Sequence, residues 1–405
     1  MLKRKKFRRD TSMEISQTTF VSLSGPFQNP VTLSCFIIRI VSCFAFIRHE
    51  KQYAFRRCPA PPLFSGFVQS PEVQTNMKSI PDIEAHRNID CLCAGIIVAD
   101  HICAPIATLP AAGELVTSDA FLLNIGGCAA NTAVDLQKIG VKVAIAGRVG
   151  QDLFGQFILE SLQKSGIDTS SIKRTSRADT SQTMIVNVQN EDRRFIHGFG
   201  ANAFFKGGDI PSETLARSRI LYLGGYLLMP ALDQEDAIRI FKAARQLGVI
   251  TVLDVAIPEP GHYLPQLEHI LEHTDVFLPN TAEAELILGE SRPIVQARKF
   301  QELGAETVVI TCGNNGCVLV DSEIQIEVGV YPVSFLDGSG CGDAFDAGYI
   351  YGILQGFSPE ECTRWGSVLG ASCVRSIGTT NGVFTYDQAS DFMKEHPLPI
   401  KTLKP

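Results

Sequence analysis

Short apolar runs alternate with helix-like segments along the second half of this 405-residue chain. Four runs have the length and composition of buried strands, at 220–223, 249–253, 276–278 and 307–311. Segments with helical spacing separate them, at 233–247, 263–273, 282–288 and 293–303. Because parallel strands need long crossover connections, this alternation predicts an α/β fold with a mostly parallel sheet covered on both faces.

The first half of the chain interrupts this pattern with β-rich pieces. A strand-like run from Cys91 to Ala99 leads directly into Asp100, and helical patterns follow at 129–139 and 154–165. Alternating segments at about 103–125 and 183–198 contain turn residues and resemble hairpins. We expect these two pieces to form a small β-sheet that acts as a lid on the main domain.

The N-terminal residues 1–76 differ in composition from the rest. They contain 11 Lys and Arg but four Asp and Glu. The apolar run at 31–47 is too short and too polar for a membrane span, and it lacks the features of a signal peptide. We expect a disordered extension, or translated sequence upstream of a true start at Met77, and a folded domain over residues 77–405.

Charge and cysteine content narrow the classes of function. Beyond residue 76 the chain holds 25 basic and 39 acidic residues, which makes it a poor match for nucleic acid. The twelve cysteines include no C-x-x-C pair, so they predict free thiols rather than a disulfide framework or a zinc site. We therefore expect a cytoplasmic protein without nucleic-acid or membrane partners.

A glycine-rich turn from Asp337 to Asp343 runs directly into a helix of small residues. Such a turn leaves backbone N–H groups free at a helix N-terminus, where an anion is stabilised. Asp343 adds a potential general base beside that position. An anion hole with an adjacent base is what phosphoryl transfer to an alcohol requires.

Polar residues at two other turns could bind a hydroxylated ligand. Gly126 and Gly127 allow a ligand to approach the backbone closely, and Asn131 on the following helix can hydrogen-bond a hydroxyl. Asp100, at the end of the first predicted strand, can accept hydrogen bonds from a diol. A tight strand–helix turn with a capping Asn, and an Asx turn, would explain the same residues structurally.

Two further turns could serve a nucleotide. Asn280 and Glu283 have the spacing of a helix capping box, and Glu283 could also orient waters on Mg²⁺. The glycines in the segment Thr311 to Gly316 could shape a nucleotide pocket or a simple β-turn.

Taken together and in this order, the motifs resemble those of the ribokinase (PfkB-type) family of carbohydrate kinases, over nearly all of residues 89–390. Two signature regions carry the resemblance: the glycine-rich region at 126–155 and the loop at 337–343. The resemblance implies a three-layer α/β/α domain with a β-sheet lid. In relatives the lid often pairs two subunits, so a homodimer is expected.

The resemblance implies ATP- and Mg²⁺-dependent phosphorylation of a hydroxymethyl group on a small sugar or sugar acid. Asp343 would be the base, and the amides of Gly340, Cys341 and Gly342 would stabilise the transferred group. Positions that hold the acceptor match Asp100, Gly126, Gly127 and Asn131. Positions for the nucleotide and Mg²⁺ match Asn280, Glu283 (through water), Thr311, Gly313 and Gly316. Asp337 and Ser339 match part of a K⁺ site.

The chain departs from the family pattern at three positions. Gly338 and Cys341 replace the usual Thr and Ala of the catalytic loop, and Val98 replaces a ribose-contacting residue, which weakens ribose as the substrate. A nucleoside kinase of the same family is the main alternative. A non-catalytic sugar-binding relative is disfavoured because the base and the loop glycines are present, and no G-x-G-x-x-G turn supports a dinucleotide-binding oxidoreductase.

Overall fold

The computed structural model describes residues 87–189, 191, 193–258 and 260–403, so the expectations for residues 1–76 and for Met77 lie outside it. The strands of this part are β1 (Ile89–Gly95), β2 (Val98–Ile106), β3 (Phe121–Gly126), β4 (Val143–Gly150), β5 (Asp168–Thr175), β6 (Gln182–Val188), β7 (Arg194–Gly198), β8 (Ser218–Gly224), β9 (Ile250–Leu253), β10 (Val276–Phe277), β11 (Thr307–Thr311), β12 (Cys317–Val320), β13 (Gln325–Val328) and β14 (Ile400–Thr402). The helices are α1 (Cys128–Lys138), α2 (Leu153–Lys164), α3 (Ser212–Ala216), α4 (Gln234–Gln246), α5 (Leu264–Leu271), α6 (Thr281–Leu288), α7 (Pro293–Glu302), α8 (Cys341–Leu354), α9 (Pro359–Cys373) and α10 (Tyr386–Glu395).

Ten strands form one central sheet in the order β14-β13-β12-β11-β10-β9-β8-β1-β4-β5. The pairs from β11 to β5 are parallel, and β12, β13 and β14 pair antiparallel at the other edge. This arrangement confirms the predicted mostly parallel α/β sheet. The predicted helices of the second half are also present, with ends within two residues of those expected.

Apolar cores cover both faces of the central sheet. In β1, Cys91 and Cys93 belong to one core and Leu92 and Ala94 to the other, as the two-residue period of a strand requires. Helices α1, α2, α8, α9 and α10 contribute to the first core, and α3 to α7 contribute to the second. The result is the expected three-layer α/β/α arrangement.

A second, small sheet has the strand order β3-β2-β6-β7. It contains the predicted hairpin, with β6 and β7 antiparallel, while β2 and β6 are parallel. We call it the lid sheet. It begins at Val98, earlier than the predicted boundary at 103.

The prediction of one strand from Cys91 to Ala99 was wrong. Strand β1 ends at Gly95, whose φ is 137°, and a Cβ there would lie 2.1 Å from the carbonyl oxygen of Gly224. The chain turns at this glycine and enters the lid sheet at Val98, so Asp100 lies inside β2 rather than at the end of β1. Because residues on both sides of the turn are buried, the apolar pattern does not reveal it.

None of the helices in the described part of the chain combines the length and the apolar character that a membrane crossing requires.

Candidate active site

The glycine-rich loop adopts the conformation expected of a helix N-terminus. Gly340 is the N-cap of α8, with φ 77° and ψ 0°. A Cβ at this position would lie 2.1 Å from the carbonyl oxygen of Thr379. Conformation and space therefore both require glycine here. The Cys341 N–H makes only a long contact, 3.4 Å, with the Gly338 carbonyl, so the first turn of α8 keeps donors for an anion.

Asp337 holds this loop in place. Its Oδ1 accepts hydrogen bonds from the Ser339 amide (2.9 Å) and hydroxyl (2.8 Å), and its Oδ2 accepts from the Gly378 amide (3.1 Å). Asp337 and Ser339 are both buried. These bonds attach the start of the loop to the segment that follows α9, which fixes the direction of α8.

The proposed base Asp343 lies on the first turn of α8 and is held by α1. The side-chain amide of Asn131 donates to its Oδ2 at 2.8 Å, and the Thr132 hydroxyl donates to its backbone oxygen at 3.3 Å. The Oδ1 of Asn131 is buried and has no hydrogen-bond partner among the described residues. Burial raises the pKa of Asp343, while the Asn131 hydrogen bond opposes that shift. The structure thus joins the two glycine-rich regions at one carboxylate.

Asp100 reaches the same site from the lid sheet. A Cβ on Gly126 would lie 1.9 Å from Oδ2 of Asp100, so this carboxyl group packs directly against glycine backbone. Gly127 begins the turn into α1 with φ 90°. Burial raises the pKa of Asp100 to about 7, and the charge of Asp343 adds to the shift, whereas the hydrogen bond with Thr183 opposes it. The site therefore lies between the lid sheet and the central sheet.

Two residues that the sequence analysis did not select, Cys128 and Asp254, complete this end of the site. The side-chain ligand atoms of Cys128, Asp254 and Asp343 all lie within 4.8 Å of one another. Asp254 follows β9 directly and accepts a hydrogen bond from the Gly225 amide at 3.0 Å. Burial raises the pKa of Asp254 to about 7, with a further contribution from Asp343. A carboxylate after a parallel strand was the signal that could have found it.

Glu283 forms the predicted capping box at the start of α6. The Asn280 side chain accepts from the Glu283 amide at 2.9 Å, and Oε2 of Glu283 accepts from the Asn280 amide at 3.0 Å. Burial raises the pKa of Glu283 well above its usual range, and the charge of Asp254 raises it further. The cap residue Glu283 therefore lies close to Asp254 and Asp343, and we call these three residues the carboxylate cluster.

The loop after β11 lies beside this cap. Thr311 forms an isolated parallel bridge with Asn280, which places the start of the loop next to the N-terminus of α6. Gly313 begins a 3₁₀ turn, and Gly316 has φ 83° with its α-carbon close to strand β13. Of the three residues predicted for the nucleotide, Thr311 contacts the Asn280 cap directly, whereas Gly313 and Gly316 shape the turn beyond it.

The chain is similar to known kinases over most of its length. The model of the pfkB family of carbohydrate kinases matches residues 88–385. A ribokinase of Haemophilus influenzae is 29% identical over 308 residues, which cover 74% of this chain and 97% of the relative. A 5-dehydro-2-deoxygluconokinase of Clostridium perfringens is 24% identical over 284 residues, which cover 67% and 84%.

The fold is similar to a solved kinase structure as well. The crystal structure of a ribokinase from Thermotoga maritima matches with a TM-score of 0.65 and 25% identity, over 76% of this chain and 99% of that one. The fold is ribokinase-like, and the activity is that of an ATP-dependent carbohydrate kinase. With 298 consecutive residues matched by the family model, this chain belongs to the pfkB family of carbohydrate kinases.

Proposed function

We propose that the protein transfers the γ-phosphoryl group of ATP to a hydroxymethyl group of a small sugar or sugar acid, with Asp343 as general base. The contact between Asn131 and Asp343 carries this proposal, because it holds a half-buried carboxylate beside the N-terminus of α8. The unpartnered Oδ1 of Asn131 adds a hydrogen-bond acceptor at the same position. An incoming hydroxyl group would satisfy that acceptor.

The surrounding residues suit each part of this reaction. Asp100 and Asn131 hold the hydroxyl groups of the acceptor. Gly126 lets Asp100 pack against its backbone, and Gly127 turns the chain into α1. The attacking hydroxyl gives its proton to Asp343, whose raised pKa makes it a better proton acceptor than an exposed carboxylate. The amides of Gly340, Cys341 and Gly342 and the dipole of α8 stabilise the negative charge on the transferred group.

The carboxylate cluster fits a divalent cation. Beyond the effect of burial, the charge of Asp343 raises the pKa of Asp254, and the charges of Asp254 and Asp343 raise that of Glu283, so acidic groups lie close together at this point. Oxygen ligands of this kind suit Mg²⁺, and Asp254 and Glu283 would hold it, Glu283 through water. When bound, Mg²⁺ neutralises phosphate charge. Thr311, Gly313 and Gly316 would hold the nucleotide beyond the Asn280 cap.

A K⁺ ion beside Asp337 and Ser339 stays a prediction. The Asp337 carboxylate already accepts three hydrogen bonds from protein donors, so the loop is held without an ion. Replacing K⁺ by Na⁺ in the assay tests this prediction. If the site is specific for K⁺, kcat should be lower in Na⁺ than in K⁺. The cytoplasmic location also stays a prediction.

The acceptor is best sought among sugars and sugar acids. The two relatives described above are named for ribose and for a deoxy-keto sugar acid. Val98 in this chain weakens ribose, which leaves the sugar acid as the first candidate. The second candidate is a nucleoside, because exchange of the lid and acceptor pocket alone would change a sugar kinase into a nucleoside kinase.

An ADP-release screen over D-ribose, D-fructose, 5-dehydro-2-deoxygluconate, inosine and adenosine tests the proposal. We expect one carbohydrate to be phosphorylated and the Asp343→Asn variant to be inactive toward it. Faster transfer to a nucleoside would favour the second candidate. Sugar binding without ADP release from any compound would indicate a non-catalytic relative and contradict the proposal.

We also propose a homodimer formed through the outer face of the lid sheet. One row of neighbouring residues across its four strands is Leu123, His101, Met184 and Ile196. Three members of this row are apolar and exposed: Leu123 is 39% exposed, Met184 51% and Ile196 66%. Three exposed apolar side chains in one row of a sheet face are typical of a protein–protein contact.

A further inference from the structure

Arg193, which directly precedes β7 in the lid sheet, contacts the catalytic loop. A Cβ built on Gly338 would lie 2.6 Å from Nη1 and 3.2 Å from Cζ of Arg193. Gly338 is buried and is the second residue of the loop that runs from Asp337 to Asp343. The lack of a side chain at position 338 therefore leaves room for a guanidinium group against the loop backbone.

Two observations show how the guanidinium is held and how far its charge reaches. Its Cζ lies 5.3 Å from the ring centroid of Phe195, within the range of a cation–π contact. Burial raises the pKa of Cys341, and the Arg193 charge opposes this shift. Cys341 is the first residue of α8. The positive charge of Arg193 therefore acts at the helix N-terminus, where an anion would bind.

We propose that Arg193 binds the transferred phosphoryl group from the lid side of the loop, as a further catalytic residue of the reaction proposed above, on which this inference rests. The acceptor oxygen forms a bond to the γ-phosphorus, and the bond from that phosphorus to the β–γ bridging oxygen breaks. The hydroxyl proton goes to Asp343, and ADP leaves with the bridging oxygen. The three peripheral oxygens of the moving group carry the charge that Arg193 would contact.

A guanidinium group adds what the loop amides lack. Backbone N–H groups are neutral donors, whereas arginine carries a full charge and a planar set of donors that matches phosphoryl oxygens. Because Arg193 leads directly into β7 of the lid sheet and α8 packs on the central sheet, the cation would reach the anion hole only when the lid sheet lies over the loop. Charge stabilisation would thus depend on the position of the lid sheet.

The test compares Arg193→Met with Arg194→Met, using MgATP and whichever of D-ribose, D-fructose and 5-dehydro-2-deoxygluconate is phosphorylated fastest. Arg194 is the exposed neighbour, paired with Glu191, and serves as the matched control. We expect Arg193→Met to lower kcat by about 10²-fold or more, the effect of losing one charge-stabilising donor. The KM values for both substrates should change by less than about threefold, as for an interaction made only in the transition state. Arg194→Met should match the wild type.

Three further variants separate catalysis from folding. Arg193→Lys should restore part of kcat because it keeps the charge, and added guanidinium chloride should partly rescue Arg193→Gly. Gly338→Ala keeps Arg193 but adds a methyl group where its Nη1 now lies, so it should lower kcat by an intermediate factor. The melting temperatures of the variants should stay near that of the wild type, since the group displaced is the end of a flexible side chain.

Two outcomes would overturn the role of Arg193 alone. One is a kcat of Arg193→Met within threefold of the wild type while Asp343→Asn is inactive. The other is an unchanged kcat with a raised KM only for the acidic acceptor, which would place the guanidinium on the carboxylate of that acceptor. If the wild-type protein phosphorylates none of the acceptors, the proposed function itself fails, and that result is distinct from both.

Discussion

The side-chain amide of Asn131 donates a hydrogen bond to Oδ2 of Asp343 over 2.8 Å, although the two residues are 212 positions apart in the chain. Asn131 lies on α1 and Asp343 on α8, and these helices pack in the same core. The contact orients the carboxylate of the proposed base by a neutral partner. Its proton affinity is therefore set mainly by burial, which raises the pKa of Asp343.

Replacing the base tests this arrangement directly. Asp343→Asn keeps the size of the side chain but removes its capacity to accept a proton. We expect kcat to fall by at least about 10²-fold, because general-base catalysis contributes about 10²–10⁴-fold. MgATP binding, measured by calorimetry, should persist. Asp391→Asn, an exposed carboxylate paired with Lys394, is the control and should remain fully active.

Gly340 should be more sensitive to alanine than the glycine just past the other end of the same helix. Gly340 and Gly356 have φ values of 77° and 71°, but a Cβ would meet Thr379 only at Gly340 and nothing within 4 Å at Gly356. A left-handed non-glycine residue costs about 1–3 kcal/mol. Gly356→Ala should lose stability within this range, and Gly340→Ala should lose more, together with its activity.

Urea unfolding and kinetics of the two glycine variants give the comparison. Similar losses of unfolding free energy would contradict the steric contact between Gly340 and Thr379.

The raised pKa of Asp254 should make the protein without Mg²⁺ less stable as the pH rises. Its folded pKa is about 7, above the unfolded value, so its contribution to stability is complete below about pH 4 and is lost as the pH rises through 7. Asp254→Asn cannot ionise, and its stability relative to the wild type should increase between pH 5 and pH 8. Thermal melting at each pH measures this.

Asp209 provides the opposite case for the same measurement. Hydrogen bonds from Arg148 and Lys173 outweigh burial and hold its pKa below the usual value. The contribution of Asp209 to stability is therefore present above its unfolded pKa, and it is lost as the pH falls through its folded pKa. Asp209→Asn should therefore destabilise the protein at pH 7. If both variants respond to pH in the same direction, one of the two assignments is wrong.

A charge at Ile196, in the row of exposed residues across the lid sheet, should dissociate the proposed dimer. Ile196→Asp places a carboxylate on a surface that would be buried between subunits, which is costly without a partner. Sedimentation velocity should then show a monomer. Leu286→Asp changes a residue on α6 that is 43% exposed, outside the lid sheet, and should leave the dimer intact. A wild-type monomer at micromolar concentration would disprove the dimer.

A chain that begins at Met77 should fold and retain activity, because the family match starts at residue 88. A second chain that begins at Ile97 lacks β1, which pairs with both β4 and β8, and should not fold. Loss of the thermal transition in the Met77 chain would show that the preceding residues are structural.

The sequence pattern predicts strands β8 to β11 of the central sheet, because each is short, apolar and bounded by turn residues. The mostly polar β5 and the edge strands β12 to β14 were not predicted. Local chemistry also predicts the capping box of Asn280 and Glu283, which needs only residues three positions apart. The break at Gly95 and the placement of Asp100 in β2 were not predictable in this way. Both depend on Gly224, a distant residue whose carbonyl oxygen occupies the space beside Gly95.

The missed residues of the site have a similar explanation. Asp254 follows a predicted strand and carries a visible signal, but Cys128 and Arg193 have none. In the sequence, Cys128 is one of several small residues in a predicted helix, and Arg193 is a charged residue in a predicted hairpin. Only the tertiary packing brings these side chains to Asp343 and to Gly338.

The location of Asp100 in the lid sheet has a consequence for how acceptor affinity should be interpreted. Asp100 pairs in register with Asn124 and Thr183, so it moves as one body with β3 and β6. An acceptor that bridged Asp100 and Asn131, as proposed, would therefore bind fully only in the population of molecules whose two sheets are correctly spaced. Its apparent Kd would include the equilibrium between those populations, so we expect a substitution far out on the lid sheet to change affinity without touching the sugar.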